Sequence, residues 1–312
     1  MGSKHTFRFG VQCGGEHDAA SWTELARKVE GLGYSTLYMP DHFIDTVLAP
    51  VPALAMAAAV TTELNVAALV YDNDYKHPAI LAKETATIDV LSGGRTELGI
   101  GAGWMQVDYD ALGIPYDSPG VRIARLEEAL EVIKGCFSGE QFSYSGSHYT
   151  ITDYLPIPAP TQRRVPILIG GGAPKILGLA GRTADIVGIN PNLRVGAITE
   201  DAARSASGEE TAKKIEWIRA GAGDRFDDIE LQIRYFVHAI TDDRQGFADM
   251  MAPMFGATAP EMLGSGAALF GTIPEIIDTL QERRETWGVT YVVVGNDFCE
   301  AFAPVVDALV GT

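Results

Sequence analysis

The chain has 312 residues, 46% hydrophobic and 21% charged, ordinary values for a globular protein that buries a sizeable core. Its 24 basic and 41 acidic residues give a formal net charge of −17, which argues against nucleic-acid or anionic-lipid partners, because both need a basic surface. Cys13, Cys136 and Cys299 are too few and too scattered for a disulfide framework or a zinc site, the longest apolar run (53–60) is far short of a membrane span, and KHTFRFG shows no signal-peptide pattern, so a cytoplasmic protein is expected.

FRFGVQC (7–13) reads as a first strand. A helix over 21–34 follows, with Ser21 as N-cap, Glu24 completing a capping box and Gly33 near its end. TLYMPDH (36–42) is a second strand that ends on Asp41 and His42, and PVPALAMAAAVT (50–61) is a helix with prolines in its first turn. LNVAALVY (64–71) is the third strand, 77–93 a helix closed by a glycine pair, TELGIGAG (96–103) the fourth strand, and 120–137 the centre of a long helix. The stretch 142–164 alternates, turns at Gly146 and becomes proline-rich, which predicts a hairpin excursion before the fifth strand. That strand is VPILIGG (165–171), followed by a helix over 174–183 and a sixth strand over 185–190. Residues 193–229 are polar and then helical, ELQIRYFVHAI (230–240) is a seventh strand, and two or three short helices fill 246–270. A periodic helix (272–288), an eighth strand (291–295) and a closing helix from Cys299 complete the chain.

Near-continuous apolar strands alternating with helices predict a parallel sheet covered on both faces. A single (β/α)8 TIM barrel over 1–312, carrying the excursion before strand five, closes such a sheet; an open doubly wound sheet is the alternative. In a barrel, active-site residues stand at the C-terminal strand ends. Those ends carry Gln12, Asp41-His42, Tyr71-Asp72, Gly101-Ala102-Gly103-Trp104, Gly170-Gly171-Gly172, Asn190, His238 and Gly295-Asn296-Asp297. The glycine run LIGGGAPK leads straight into a helix, whose free N–H groups and positive dipole end suit a phosphate, with Lys175 and Arg182 adding charge. A flexible turn without a ligand is the other reading of those glycines. MQVDYD follows GIGAGW, so the Rossmann fingerprint is missing, and the six histidines show no metal-ligand spacing, so no metal is expected. His77, before Pro78, reads as a capping or packing residue, His148 as solvated, and Asp242-Asp243 as a surface loop.

PDHF, GIGAGW, RLEEALEVIK and VPILIGGGAPKILGLAGRTADIVGIN, in that order across the whole chain, resemble the luciferase-like flavin and deazaflavin oxidoreductases, and most closely their F420-dependent branch. The resemblance implies a luciferase-like barrel whose excursion lies over the active site, with His42 facing the reactive ring of coenzyme F420. It implies a bulge after strand three with a non-proline cis peptide at Ala68-Leu69 and Val70 next, behind that ring. It matches Gly101, Ala102, Gly103, Trp104, Gly170, Gly171, Gly172 and Ala173 to cofactor binding, and Asn190 to a polar cofactor contact. The implied chemistry is hydride transfer between the deazaflavin C5 and a small-molecule substrate, with His42 as proton donor or acceptor and Asp41 positioning its imidazole.

Trp104 stands where sugar-phosphate dehydrogenase members carry a glutamate. That argues against the glucose-6-phosphate reaction and for an aromatic pocket wall, with plain core packing as the other possibility. An FMN-dependent monooxygenase served by a separate flavin or F420 reductase, and a non-catalytic carrier of either cofactor, are the alternatives. The anionic tail of F420 asks for a basic patch, for which Arg163, Arg164, Lys175, Arg182 and Arg194 are candidates. Members of the family are often homodimers, and the ALAMAAAV helix suits either such an interface or its own barrel.

Overall fold

A computed structural model describes residues 4–15, 17–197 and 199–312. The first half runs β1 (Arg8–Gln12), α1 (Ala19–Gly31), β2 (Thr36–Met39), α2 (Pro50–Val60), β3 (Asn65–Ala68), β4 (Tyr71–Asp72), α3 (Pro78–Ser92), β5 (Leu98–Gly101), α4 (Gln106–Leu112) and α5 (Pro119–Phe137). The hairpin β6 (Phe142–Ser145) and β7 (Thr150–Tyr154) follows, then β8 (Ile167–Gly171), α6 (Pro174–Thr183), β9 (Ile186–Ile189), α7 (Glu200–Arg204) and α8 (Gly208–Ala222). The last part holds β10 (Glu230–Arg234), β11 (Val237–Ile240), α9 (Arg244–Met251), α10 (Ala259–Leu263), β12 (Ala268–Gly271), α11 (Ile273–Trp287), β13 (Val289–Gly295) and α12 (Cys299–Leu309).

One sheet runs β3-β2-β1-β13-β10-β9-β8-β5-β4, parallel throughout. Its two ends, β3 and β4, are consecutive in the chain and form one stave interrupted at Leu69-Val70. The first half bonds β2, the second bonds β5, and a parallel bridge from Val66 to Thr96 joins the ends. The sheet is therefore a ring of eight staves, a (β/α)8 barrel, and the open-sheet alternative falls. Tyr38, Ala67, Leu168, Ile186, Tyr291 and Val293 fill the interior, and the larger core lies between staves and helices. At the N-terminal floor Arg8 pairs with Glu97 and Glu230 and stacks over Tyr291. Removing one partner of so enclosed a pair would leave an uncompensated charge.

Four local expectations need correcting. The cap of α1 is Asp18, whose carboxylate accepts the N–H of Ser21 at 2.8 Å, so Ser21 is the third helical residue and Glu24 plays no part in the box. The expected seventh strand breaks after Arg234: β11 leaves the barrel and pairs in parallel with β12, a strand in the region expected to hold only helices. His238 accordingly lies on that outer ribbon and not at a stave end. The cis peptide joins Leu69 to Val70, one residue later than expected. The hairpin appears where expected but does not overlie the barrel mouth. The Glu128 carboxylate on α5 accepts N–H bonds from Ser147, His148 and Tyr149, at 2.8, 2.8 and 3.2 Å, and pins the hairpin to the outside of the helix layer. Helix α2 lays Pro50, Ala53, Leu54, Ala57 and Ala58 into its own barrel, with Trp22 Nε1 donating to the Ala53 carbonyl at 2.8 Å.

Candidate active site

A cavity of about 1080 Å³ opens at the C-terminal stave ends. Typical small-molecule pockets run to roughly 300–1,000 Å³, so there is room here for two ligands together. Asp41, His42, Leu69, Val70, Gly101, Ala102, Gly103, Trp104, Gly170, Gly171, Gly172, Ala173 and Asn190 all line it. Ala68 does not. It is fully buried within β3, and its carbonyl oxygen lies only 2.0 Å from where a side chain on Gly99 would begin. The cover comes from the segment after β9 and from the chain between β10 and α11, through Leu193, Arg194, Phe236, Met254 and Met262.

The imidazole of His42 is held by a residue that the sequence reading missed. Its Nδ1 lies 2.8 Å from Oδ2 of Asp108, a fully buried carboxylate on α4. Asp108 also accepts the N–H groups of Phe43 and Ile44, both at 3.1 Å, and the Tyr75 hydroxyl at 3.3 Å. A carboxylate only accepts, so Nδ1 carries a proton and Nε2 is left to the cavity. Trp104 and the imidazole pack in a T, with ring centroids 5.5 Å apart and planes at 87°, which makes Trp104 a wall of the site. Asp41 makes no hydrogen bond to His42. Its carboxylate accepts the N–H of Asp72 at 3.2 Å, and burial raises its pKa.

Behind this pair Asp72 is buried and accepts the Tyr109 hydroxyl at 2.8 Å and the Asp74 N–H at 2.9 Å. Burial, more than its acidic neighbours, pushes its carboxyl up to about 7. Arg125 neutralises Asp74 at 2.7 Å. Gln12 Nε2 donates to the Leu69 carbonyl at 2.8 Å and so fixes the Leu69-Val70 ledge from β1, two staves away.

The glycines prove tied to local packing. A side chain on Gly172 would meet the Pro191 carbonyl oxygen at 2.2 Å. At Gly103, φ is +75° and a side chain would meet the Tyr109 hydroxyl at 1.9 Å. The segments nonetheless fit a flat, phosphorylated cofactor. Helix α6 has Ala173 as N-cap and Pro174 in its first turn with no side-chain cap, so its leading N–H groups face the cavity without a protein acceptor from a capping side chain. The Leu69-Val70 ledge offers an apolar rest for a ring. Of the expected basic patch, Arg164 pairs with Asp185, Arg182 pairs with Glu127 at 2.9 Å, and Arg194 alone lines the cavity. Lys214 is a further unanticipated residue. Its buried ammonium donates to the carbonyls of Asn190 and Ser205 at 2.8 and 2.6 Å, ties the cover to the end of β9, and is lowered by burial to about 8. His77 caps α3, accepting the Ala79 N–H at 3.2 Å, while His148 and Asp242 are exposed and Asp243 caps α9. Among the described residues no group of His, Cys, Asp and Glu is placed to hold a metal ion, and no helix is long and apolar enough to cross a membrane.

A closed parallel barrel with a histidine, a ledge and a free helix end at its mouth defines a class of cofactor-binding barrels. The chain belongs to the luciferase-like monooxygenase family, whose model matches residues 1–291. An F420-dependent glucose-6-phosphate dehydrogenase of Microbacterium testaceum is 30% identical over 186 residues, covering 57% of this chain and 55% of that one. An FMNH2-dependent dimethylsulfone monooxygenase of Pseudomonas putida is 28% identical over 204 residues, covering 65% and 52%. The chain thus spans about half the length of these two curated relatives. The coenzyme F420-dependent tetrahydromethanopterin reductase of Methanopyrus kandleri superposes on 97% of this chain and 99% of its own with a TM-score of 0.78; at 19% identity the likeness is one of fold.

Proposed function

We propose that the protein is an F420-dependent oxidoreductase that transfers a hydride between the deazaflavin and a small organic substrate. The observation that carries this reading is the His42–Asp108 pair in a cavity large enough for cofactor and substrate together. When bound, F420 supplies or takes up the hydride at C5 of its ring. The ledge of Leu69 and Val70 would support one ring face, and the first turn of α6 with Gly172 and Ala173 would receive the phosphate. Asn190, anchored through its carbonyl by Lys214, would offer its amide to the ring edge. His42 would take a proton from a substrate hydroxyl at Nε2 during oxidation, or return one during reduction. Asp108 holds the ring in the tautomer that this requires. Trp104 and the apolar cover would keep water from the reacting atoms.

FMN is the second reading, favoured by the Pseudomonas relative and by the same phosphate-suited helix end, and a separate reductase partner belongs to it. The test is His42→Ala assayed with reduced F420 and a substrate panel. Turnover is expected to fall by about 10²–10⁴-fold while F420 affinity stays near wild type. Loss of F420 binding would instead make His42 a ligand, and unchanged turnover would remove it from the chemistry.

A further inference from the structure

Three other arginines packed into the protein spend their N–H groups on it. Arg8 pairs with Glu97 and Glu230, Arg122 donates to the Ala102 carbonyl and the Tyr116 hydroxyl, and Arg283 donates to the carbonyls of Ala268 and Ser265. Arg234 breaks that pattern. It ends β10, four staves around the ring from the Leu69-Val70 ledge and so directly across the mouth from it, and its guanidinium lines the cavity. Its Nε is buried without a partner. Among the described residues its guanidinium makes neither a hydrogen bond nor an ion pair; it lies over the Phe236 ring, its central carbon 4.1 Å from the ring centre. Burial lowers its pKa to about 10, and Asp297, just past the adjacent stave β13, opposes that shift without coming within ion-pair distance. His238 stacks on Phe298 with ring centroids 4.3 Å apart and accepts no hydrogen bond from the guanidinium.

A guanidinium so enclosed, with five donors and no acceptor, matches a planar oxyanion. Apolar side chains share its cavity with Asp297. Phe236 and Met254, large and hydrophobic, are 52% and 72% exposed while lining the same cavity. The helix end suited to a phosphate follows β8, two staves away.

We propose that Arg234 is the anchor of a substrate subsite that takes a small organic anion, its carboxylate paired with the guanidinium and its apolar body laid along Phe236 and Met254. The proposal rests on the mouth being an oxidoreductase site, and it adds the substrate class. A substrate held there lies across the mouth from the ledge, where it can face a ring resting on Leu69 and Val70. Replacing the carboxylate by a neutral amide leaves shape nearly unchanged and removes the charge-assisted pair.

The test uses the full chain saturated with F420 and titrated calorimetrically with straight-chain carboxylates from butanoate to octanoate and with the matching amides. At least one carboxylate is expected to bind about tenfold or more tightly than its amide. Arg234→Gln should erase that preference, Arg234→Lys should keep part of it, and neither should change F420 affinity. Equal binding of acids and amides, or binding of neither, overturns the proposal. So does an Arg234→Gln protein that loses F420 affinity but keeps its preference for acids, since the arginine then serves the cofactor. If wild type binds no F420 yet shows an Arg234-dependent preference for carboxylates, the subsite stands and the oxidoreductase reading falls. Arg234→Lys keeps the test open should Arg234→Gln fail to fold.

Discussion

Replacing Asp108 by Asn separates charge from shape at the centre of the site. The carboxylate is fully buried and accepts four bonds: Phe43 N–H and Ile44 N–H at Oδ1, and His42 Nδ1 and the Tyr75 hydroxyl at Oδ2. An asparagine whose oxygen keeps the two backbone donors must turn its NH₂ towards His42. The imidazole then has to accept at Nδ1 and carries its proton at Nε2, the wrong tautomer for taking a proton from substrate. Two charge-assisted bonds are lost or reversed, a stability cost of about 2–4 kcal/mol, and turnover should fall about 10²–10⁴-fold. Long-range ¹H–¹⁵N spectra of histidine-labelled protein read the tautomer without a substrate, and chemical denaturation reads the stability. We expect Nδ1–H in the wild type and Nε2–H in Asp108→Asn, and a double variant with His42→Ala no slower than His42→Ala alone. An unchanged tautomer, or effects on rate that simply add, would refute the pairing as the source of catalytic competence.

Other consequences can be checked separately. The Asp72 carboxyl, raised from 3.8 to about 7, stays protonated in the folded chain where the unfolded chain has lost its proton. The folded state then binds more protons, so stability should fall as pH rises from about 4 to 7, by up to about 4 kcal/mol, and Asp72→Asn should flatten that slope in melting curves. Gly103→Ala forces a methyl against the Tyr109 hydroxyl and Asp72 at a φ of +75°, so the urea midpoint should drop by an amount equivalent to roughly 1–3 kcal/mol, with weakened F420 binding. Glu128→Ala frees three hairpin N–H groups, so proteolysis within 142–164 should speed up. Cofactor affinity should hold, because none of that segment lines the cavity.

The barrel was legible because apolar strands and capped helices alternate through the chain, and α5, β8 and α6 fall close to where periodicity and glycine placement put them. The mouth residues followed from stave ends. What stayed hidden were contacts over long sequence separation. Asp108 is 66 residues from His42 on a seven-residue helix, and an acidic residue in a short polar stretch reads as surface. Its signal was present in the apolar spacing of QVDYDAL before Gly113, which adopts φ +68° and ends the helix. The run ELQIRYFVHAI contains no glycine or proline to mark its break, since the break is set by β11 finding β12 some thirty residues on. Arg234 was hidden for the same reason, sitting inside an apparently continuous strand. The hairpin was placed over the mouth by analogy, whereas Glu128 holds it elsewhere.

The central claim, a deazaflavin site at the barrel mouth, is tested most directly by titrating the protein with F420 and with FMN while following tryptophan fluorescence, since Trp104 lines the cavity beside His42. The account predicts saturable quenching by F420 that is largely lost in Trp104→Phe, with clearly weaker binding of FMN. Tighter FMN binding would transfer the site to flavin chemistry, and quenching by neither cofactor would contradict the account.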